Sequence, residues 1–562
     1  MSKTIDCFFI GHNEMDFREY EDNIKRMGIS SGAYRDLNLN FIQYDNRPYH
    51  LSEIFNLFYC HDKFSKGEKK PLSIGETFSA AIAYLGTYLN RRGFTFDYVN
   101  SFQEEKEELK RYLLREDILT IGIITTLYTS VFPIIEIIAF IKKYNHTAKV
   151  IVGGPYVSTQ VLNQEPAELD YLFSVTIGAD IYVNSSQGEA TLVKILHSLK
   201  NDLPLDQINN IYYKTDNGYL STPILIENNQ LSENMVDWNL FADRVGQVVN
   251  VRTSISCPFS CAFCGFPEHA GKHQVVEVEL LEKELKMLSK IKSIKSVNFT
   301  DDTFNVPKER FKRILKMLIK NKFKWRWHSN LRCQFLNREI VELMKESGCE
   351  GVFLGIESGS PKILKNMNKA ASVDKYFEGV ALLKEFGIIP FGSFIVGFPG
   401  ETDETLQETV RFIEESEIDF FRAHLWYCEP ITPIWREKEK YKIKGSNFEW
   451  SHATMDSRRA CDLIDDMFVS IKKSIWIPQY NFDLDNLFHI TNRGFTLEEV
   501  RNILNAFNSG IREKLNNPAK KEVNLKVIKQ LKKFCQKSHH NEEPLPEEIN
   551  MIDQKDAEFD FF

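Results

Sequence analysis

The chain has 562 residues, 43% of them apolar and 26% charged, with a net charge of −8. That length implies about three or four domains, and the balance is that of a globular protein. Lys and Arg are spread along the chain, which argues against a dedicated nucleic-acid binder with its strong basic excess.

The opening MSKTIDCFFIGHNE has too short an apolar run for a secretory segment. Residues 118–141 are strongly apolar but contain Pro133, Glu136 and several Thr. They read as strand, loop and helix rather than a membrane span. The expected compartment is the cytoplasm, with no membrane and no nucleic acid as partner.

In chain order, residues 5–11 read as a buried strand and 77–89 as a helix closed by Arg92-Gly93. Strands are predicted at 94–99, 118–124, 149–152 and 181–183, with helices at 104–115, 134–143 and 189–199 between and after them. This alternation predicts an α/β fold, a doubly wound Rossmann-like sheet over 1–205. Ligands of such sheets sit at the carboxyl ends of strands, where Thr125, Thr126, the Gly153-Gly154 turn and Gly188-Glu189 fall. Residues 208–222 read as a hairpin turning at Asn217-Gly218, and 206–248 as hairpin and linker. Alternation restarts from Val249, with strands at 249–256, 297–302, 325–330, 351–357 and 391–397. These predict a partial β/α barrel over 249–440. A mainly helical region over 441–540 and a flexible, charged tail over 541–562 follow.

Of ten cysteines, seven are scattered and read as small buried hydrophobes. The other three form Cys257-Pro-Phe-Ser-Cys261-Ala-Phe-Cys264, a Cys-x3-Cys-x2-Cys loop. Three thiolates on one loop can hold three irons of a cubane cluster, leaving the fourth iron open for chemistry. Zinc sites pair two dyads, and no second dyad is present; the bland alternative is three incidental thiols or zinc with a remote His.

The loop, with Phe263 before its last cysteine, resembles the radical S-adenosylmethionine (SAM) superfamily over about residues 249–420. The resemblance implies a [4Fe–4S] cluster on Cys257, Cys261 and Cys264, SAM on the open iron, and reductive cleavage to a 5′-deoxyadenosyl radical. It implies SAM contacts at Phe263, Asp302, Asn330, Arg332, Glu357, Ser358 and Pro399. It also implies an external electron donor such as flavodoxin or ferredoxin. Acids suit ribose hydroxyls and an amine because charge-assisted hydrogen bonds are strong. Structural caps and ion pairs are the alternative for each acid, and an ordinary turn for Phe398–Thr402.

The layout of residues 5–200 resembles the cobalamin-binding domain that precedes many radical SAM domains. It implies cobalamin contacts at Thr125, Thr126, Gly153, Gly154, Gly188 and Glu189, where small residues let a corrin approach the backbone. The Asp-x-His-x-x-Gly motif is absent, and a flavodoxin-like domain without cofactor is the alternative. Residues 30–37 (SSGAYRDL) and 45–49 (DNRPY) resemble the opening of the phosphinothricin-pathway P-methyltransferase (PhpK-like) group, or are a structural insert. The resemblances together imply a cobalamin-dependent methyltransferase. It would move a methyl group from SAM, via methylcobalamin, to an unactivated carbon or a phosphinate phosphorus of a small-molecule or peptide substrate. A non-methylating rearrangement or cyclisation is the alternative. Trp426, Tyr427 and Trp435 are expected either to line the barrel mouth or to pack in the core.

Overall fold

The computed structural model describes residues 4–60, 69–115, 117–480, 482–520 and 522–536. The tail expected over 541–562 lies outside the described residues.

The first half of the chain contains β1 (Ile5–His12), the hairpin β2 (Phe41–Tyr44) and β3 (Arg47–His50), and the two-residue β4 (Thr77–Phe78). It continues through β5 (Phe96–Ser101), β6 (Ile118–Ile124), β7 (Lys149–Gly153), β8 (Ile181–Val183), β9 (Ile211–Thr215) and β10 (Gly218–Ser221). Seven of these strands form one sheet in the order β10-β9-β8-β7-β6-β1-β5. β5, β1, β6, β7 and β8 are parallel, and β9 and β10 extend the edge antiparallel. The parallel strands are continuous apolar runs because helices cover both faces. The hairpin turns one residue earlier than its Asn-Gly pair suggests, since Gly218 already pairs with Thr215.

The second sheet begins at β11 (Val248–Val251) and is followed by a small hairpin, β12 (Ser254–Ile255) with β13 (Gln274–Val275). β14 (Ser296–Phe299), β15 (Arg326–Leu331), β16 (Cys349–Glu357), β17 (Ile389–Val396) and β18 (Phe420–Leu425) continue it. A hairpin of β19 (Lys444–Ser446) with β20 (Glu449–Ser451) precedes β21 (Ile475–Trp476). The sheet order is β21-β18-β17-β16-β15-β14-β11-β4, parallel throughout. The partial barrel is therefore finished at one end by a strand from the N-terminal half and at the other by a strand from the C-terminal region. Neither two-residue strand carries a readable period, and the helix expected from residue 77 starts at Ala80 instead.

Residues 16–60 pack on the C-terminal region rather than on the first sheet. Arg35 pairs with Asp462 at 3.0 Å and Asp465 at 2.6 Å on the helix Ser457–Ser470. Lys514 Nζ donates to the carbonyls of Asn38 and Phe41 at 2.7 and 2.8 Å. Gly32 is required where it lies, because a Cβ there would stand 2.5 Å from the Phe448 carbonyl oxygen.

Candidate active site

The three-cysteine loop leaves β12 and ends at the helix Phe266–Ala270. Its entry is held by Asp301, which is buried beyond the end of β14 and accepts from Thr253 N at 2.6 Å and Ser254 N at 2.9 Å. The middle is pinned on both sides: Ala262 N donates to Met367 O, and Ile434 N donates to Ala262 O. Cys257 Sγ lies 3.5 Å from Thr303 Oγ1. Burial pushes the Cys264 thiol up to about 11, and nearby Cys261, Cys257 and Asp302 add to the rise. The three sulfurs thus share one electrostatic neighbourhood. Among the described residues, no three His, Cys, Asp or Glu side chains converge as a single metal ion requires. Three thiols on one short loop are the donor set of a multi-iron cluster.

Cations border that triad. Arg332 Nη2 donates to Cys261 Sγ at 2.7 Å, while its Nη1 donates to Lys369 O at 2.9 Å. The guanidinium lies over the Phe259 ring, 3.6 Å from its centroid. Burial raises the Cys261 thiol; Lys369 and Arg332 oppose it. Glu357 ends β16 at φ 66° and pairs with Lys369 at 2.9 Å, both buried. Gly355 makes the space, since a Cβ there would sit 2.6 Å from Glu357 Oε1. Lys369 also faces the Phe263 ring, which meets Phe398 edge-on beside Pro399.

The residues expected at a SAM site divide in two. Phe263, Arg332, Glu357 and the Phe398-Pro399 turn gather around the cysteine loop. Asp302 joins them: water reaches it, yet crowding by protein and the neighbouring Asp301 push its carboxyl up to about 7. Ser358 is instead fully buried, its Oγ 3.2 Å from Thr409 Oγ1, so that hydroxyl is used inside the fold. Asn330 instead lines the space shared with the first sheet.

That space is a cavity of about 1010 Å³ between the two sheets. One wall is the carboxyl edge of the first sheet, including His12, Thr126, Gly153, Gly154, Gly188 and Glu189. Gly154 has φ +115°, and a Cβ there would stand 2.8 Å from Thr125 Oγ1. Thr125 itself is fully buried, outside the lining, with its hydroxyl donated to Gly153 O at 2.9 Å. It shapes the turn rather than facing the cavity. The opposite wall is the barrel interior, with Asn250, Arg252, Asn298, Thr300, His328, Asn330 and Arg422. The C-terminal region closes the side through Gln479, Tyr480 and residues 482–486.

A model of the radical SAM superfamily matches residues 251–413. An uncharacterised methyltransferase of Pyrococcus horikoshii is 30% identical over 321 residues, covering 56% of this chain and 68% of the relative. The chain belongs to the radical SAM superfamily. In fold it is similar to the radical SAM methyltransferase TsrM of Kitasatospora setae, solved with cobalamin and a [4Fe–4S] cluster. The TM-score is 0.54 at 20% identity, covering 66% of this chain and 76% of that one. It is also similar to the cobalamin-dependent radical enzyme OxsB solved with aqua-cobalamin, with a TM-score of 0.52 at 17% identity and coverages of 79% and 67%.

This radical SAM chain also carries site residues that its sequence reading missed. His328 Nε2 meets Asp485 Oδ1 at 2.6 Å, and Asn298 Nδ2 donates to Asp485 Oδ2 at 3.3 Å. His12 closes β1 at the cavity, and burial holds its imidazole neutral by lowering it to about 4. The available signal for Asn250 and Asn298 was an Asn inside the short strands VVNV and SVNF, whereas His328 and Arg422 sit in strands of mixed polarity that carry no such signal. Trp426 packs in the core against Phe398 and Trp450, and neither it, Tyr427 nor Trp435 lines the cavity. Among the described residues no helix is long and apolar enough to cross a membrane.

Proposed function

We propose that this radical SAM protein is a cobalamin-dependent methyltransferase acting on a small molecule or peptide, with a carbon or a phosphinate phosphorus as acceptor. The observation that carries the reading is one cavity bounded by both a glycine-lined carboxyl edge and a polar barrel interior. Its volume is at the upper end for ligand sites, which suits a corrin together with a substrate. Gly154 holds φ +115° against the buried Thr125, where a Cβ would stand 2.8 Å from its Oγ1, so a glycine fixes the backbone of this turn at the cavity edge. A methyltransferase relative and two cobalamin-binding structural neighbours support the same reading.

Cys257, Cys261 and Cys264 would hold the cluster, and Thr126, Gly153, Gly154, Gly188 and Glu189 would face cobalamin. Bound there, the cluster would supply a low-potential electron to SAM, and cobalamin a transferable methyl group. Arg332 places positive charge against one ligand sulfur, which favours the thiolate over the thiol. The Lys369–Glu357 pair presents a buried cation and a carboxylate beside the loop, and Asp302 a carboxyl on its rim. These groups match the carboxylate, amine and hydroxyls of SAM by charge and hydrogen bonding. The Phe398-Pro399 turn adds an apolar wall. An electron donor such as flavodoxin or ferredoxin is required from outside.

The test is anaerobic reconstitution of the full chain with iron, sulfide and cobalamin, then SAM and a strong reductant. Iron, corrinoid, 5′-deoxyadenosine and methyl-labelled corrinoid are measured. Methyl label on the corrinoid together with deoxyadenosine supports the proposal. Deoxyadenosine with no methyl label would point to a non-methylating radical reaction and sink the methyl-transfer reading.

A further inference from the structure

Four acids line the cavity, and each faces a basic side chain. Glu14 lies 3.5 Å from His50, Glu189 4.0 Å from Arg252, Asp485 2.6 Å from His328, and Asp483 pairs with Arg422. Asp485 also accepts from Asn298. Arg252 Nε is buried without a hydrogen-bond partner among the described residues; the fourth pair differs in joining a buried base to an acid that is 60% exposed. Arg422 is only 6% exposed and lies on β18, where it registers against Ser393 of β17. Its guanidinium carbon is 4.9 Å from the Phe391 ring centroid and 5.4 Å from that of Phe353. Those rings hold the fork in place with no polar contact of their own. Among the described residues the hydrogen bond of the guanidinium runs from Nη2 to Asp483. The buried Nε has no hydrogen-bond partner among the described residues.

A buried guanidinium with an idle donor is costly unless something completes it. Asp483 does not: its side chain is 60% exposed, and the same Oδ1 accepts Leu484 N as the cap of the helix Leu484–Asn492. Asp36, on which the Arg422 charge acts, is pushed up to about 7 by burial, although Arg422 lowers it. It supplies no full counter-charge at neutral pH. The lining of the same cavity also includes neutral hydrogen-bonding side chains, among them Asn298, Asn330 and Gln479. A planar fork of this kind is matched by a second, two-oxygen acceptor.

We propose that Arg422 anchors an oxyanion of the substrate, a carboxylate or a phosphorus oxyacid, in the barrel half of the cavity. The inference rests on the methyltransferase reading for what happens next to that substrate, but not for its binding. The oxyanion completes the guanidinium and turns the remainder of the substrate toward the glycine-lined wall. Lys in its place would keep the charge and lose the fork.

The experiment measures binding of acetate and of methylphosphinate to the full chain by saturation-transfer NMR, before and after reconstitution. Three proteins are compared: the unsubstituted chain, Arg422→Met and Asp483→Asn. The unsubstituted chain is expected to bind at least one of the two anions in the millimolar range, and the preferred anion identifies the source. Arg422→Met is expected to weaken binding about tenfold or more, the loss for a charged hydrogen bond. Asp483→Asn retains a good helix cap and removes the competing carboxylate, so it is expected to tighten binding. A merely structural Arg422–Asp483 pair would not produce opposite signs. Absence of anion binding to the unsubstituted chain overturns the proposal, as does weaker or unchanged binding in Asp483→Asn. If the anions bind as expected but the reconstituted chain makes no deoxyadenosine, the enzymatic reading fails and the anion site stands.

Discussion

Replacing Asp301 by Ala tests whether the cysteine loop is built from its entry. The carboxylate accepts two buried backbone N–H groups, Thr253 N and Ser254 N, and the Thr253 hydroxyl at 2.5 Å. Each buried N–H left without an acceptor costs about 1–3 kcal/mol, so the pair costs about 2–6 kcal/mol. That cost falls on the turn between β11 and Cys257, because Arg310 holds the other side of the same turn through Thr253 O and Val276 O. Local opening is therefore expected before global unfolding. In hydrogen–deuterium exchange, the peptide spanning 252–264 should exchange about thirtyfold faster or more, given tenfold per 1.4 kcal/mol. Iron retained after anaerobic reconstitution should fall with it, while exchange in β5–β8 stays unchanged. Asp301→Asn, which keeps one acceptor oxygen, should lie between. Unchanged exchange at 252–264 together with full iron content in Asp301→Ala would refute the reasoning.

Glu401 is fully buried, accepts Gly397 N at 2.5 Å, and is pushed from 4.5 up to about 8 by burial. A raised carboxyl contributes stability that is complete below pH 4.5 and lost as pH rises through about 8. The melting temperature should therefore fall between pH 6 and pH 9 in the unsubstituted chain and fall less in Glu401→Gln; parallel curves would remove the argument. Trp238 Nε1 donates at 2.9 Å to Glu284, which is buried and pushed up to about 7. Trp238→Phe should cost about 1–3 kcal/mol through the carboxyl left without its donor, read by urea unfolding, and Glu284→Leu in that background should recover part of it. Gly154→Ala should lower cobalamin uptake in a spectrophotometric titration without lowering iron content. Equal uptake would show that the Gly154 turn does not meet the corrin.

How much of this was legible beforehand differs by element. The strands at 118–124 and 181–183 keep their expected bounds, because an apolar run buried on both faces is a local property of the sequence. β18 was not anticipated, since FFRAHL mixes apolar and basic residues: Phe420, Arg422 and His424 alternate with the others. β4 and β21 are two residues long and exist only because the barrel edges need hydrogen-bonding partners. By sequence, residues 16–60 were kept within the first α/β unit, with an insert only as the alternative for 30–37 and 45–49; their packing on the C-terminal helices rests on pairs more than 400 residues apart, such as Arg35 with Asp465.

The sequence by itself determined the cysteine loop and the two alternating halves, because both are written in spacings of a few residues. Phe263 and the Phe398–Thr402 turn were expected from the family resemblance, not from spacing. The tertiary structure alone decided which of two adjacent acids is used. Asp301 turns inward to clamp the loop entry, while Asp302 faces the rim. It also decided that Thr125 and Ser358 spend their hydroxyls inside the fold, and that Arg422 packs beside the paired rings of Phe353 and Phe391 in the cavity lining. The physical reason is that a side chain's partner across a sheet depends on the register of strands that are remote in sequence. No spacing within one strand records that register.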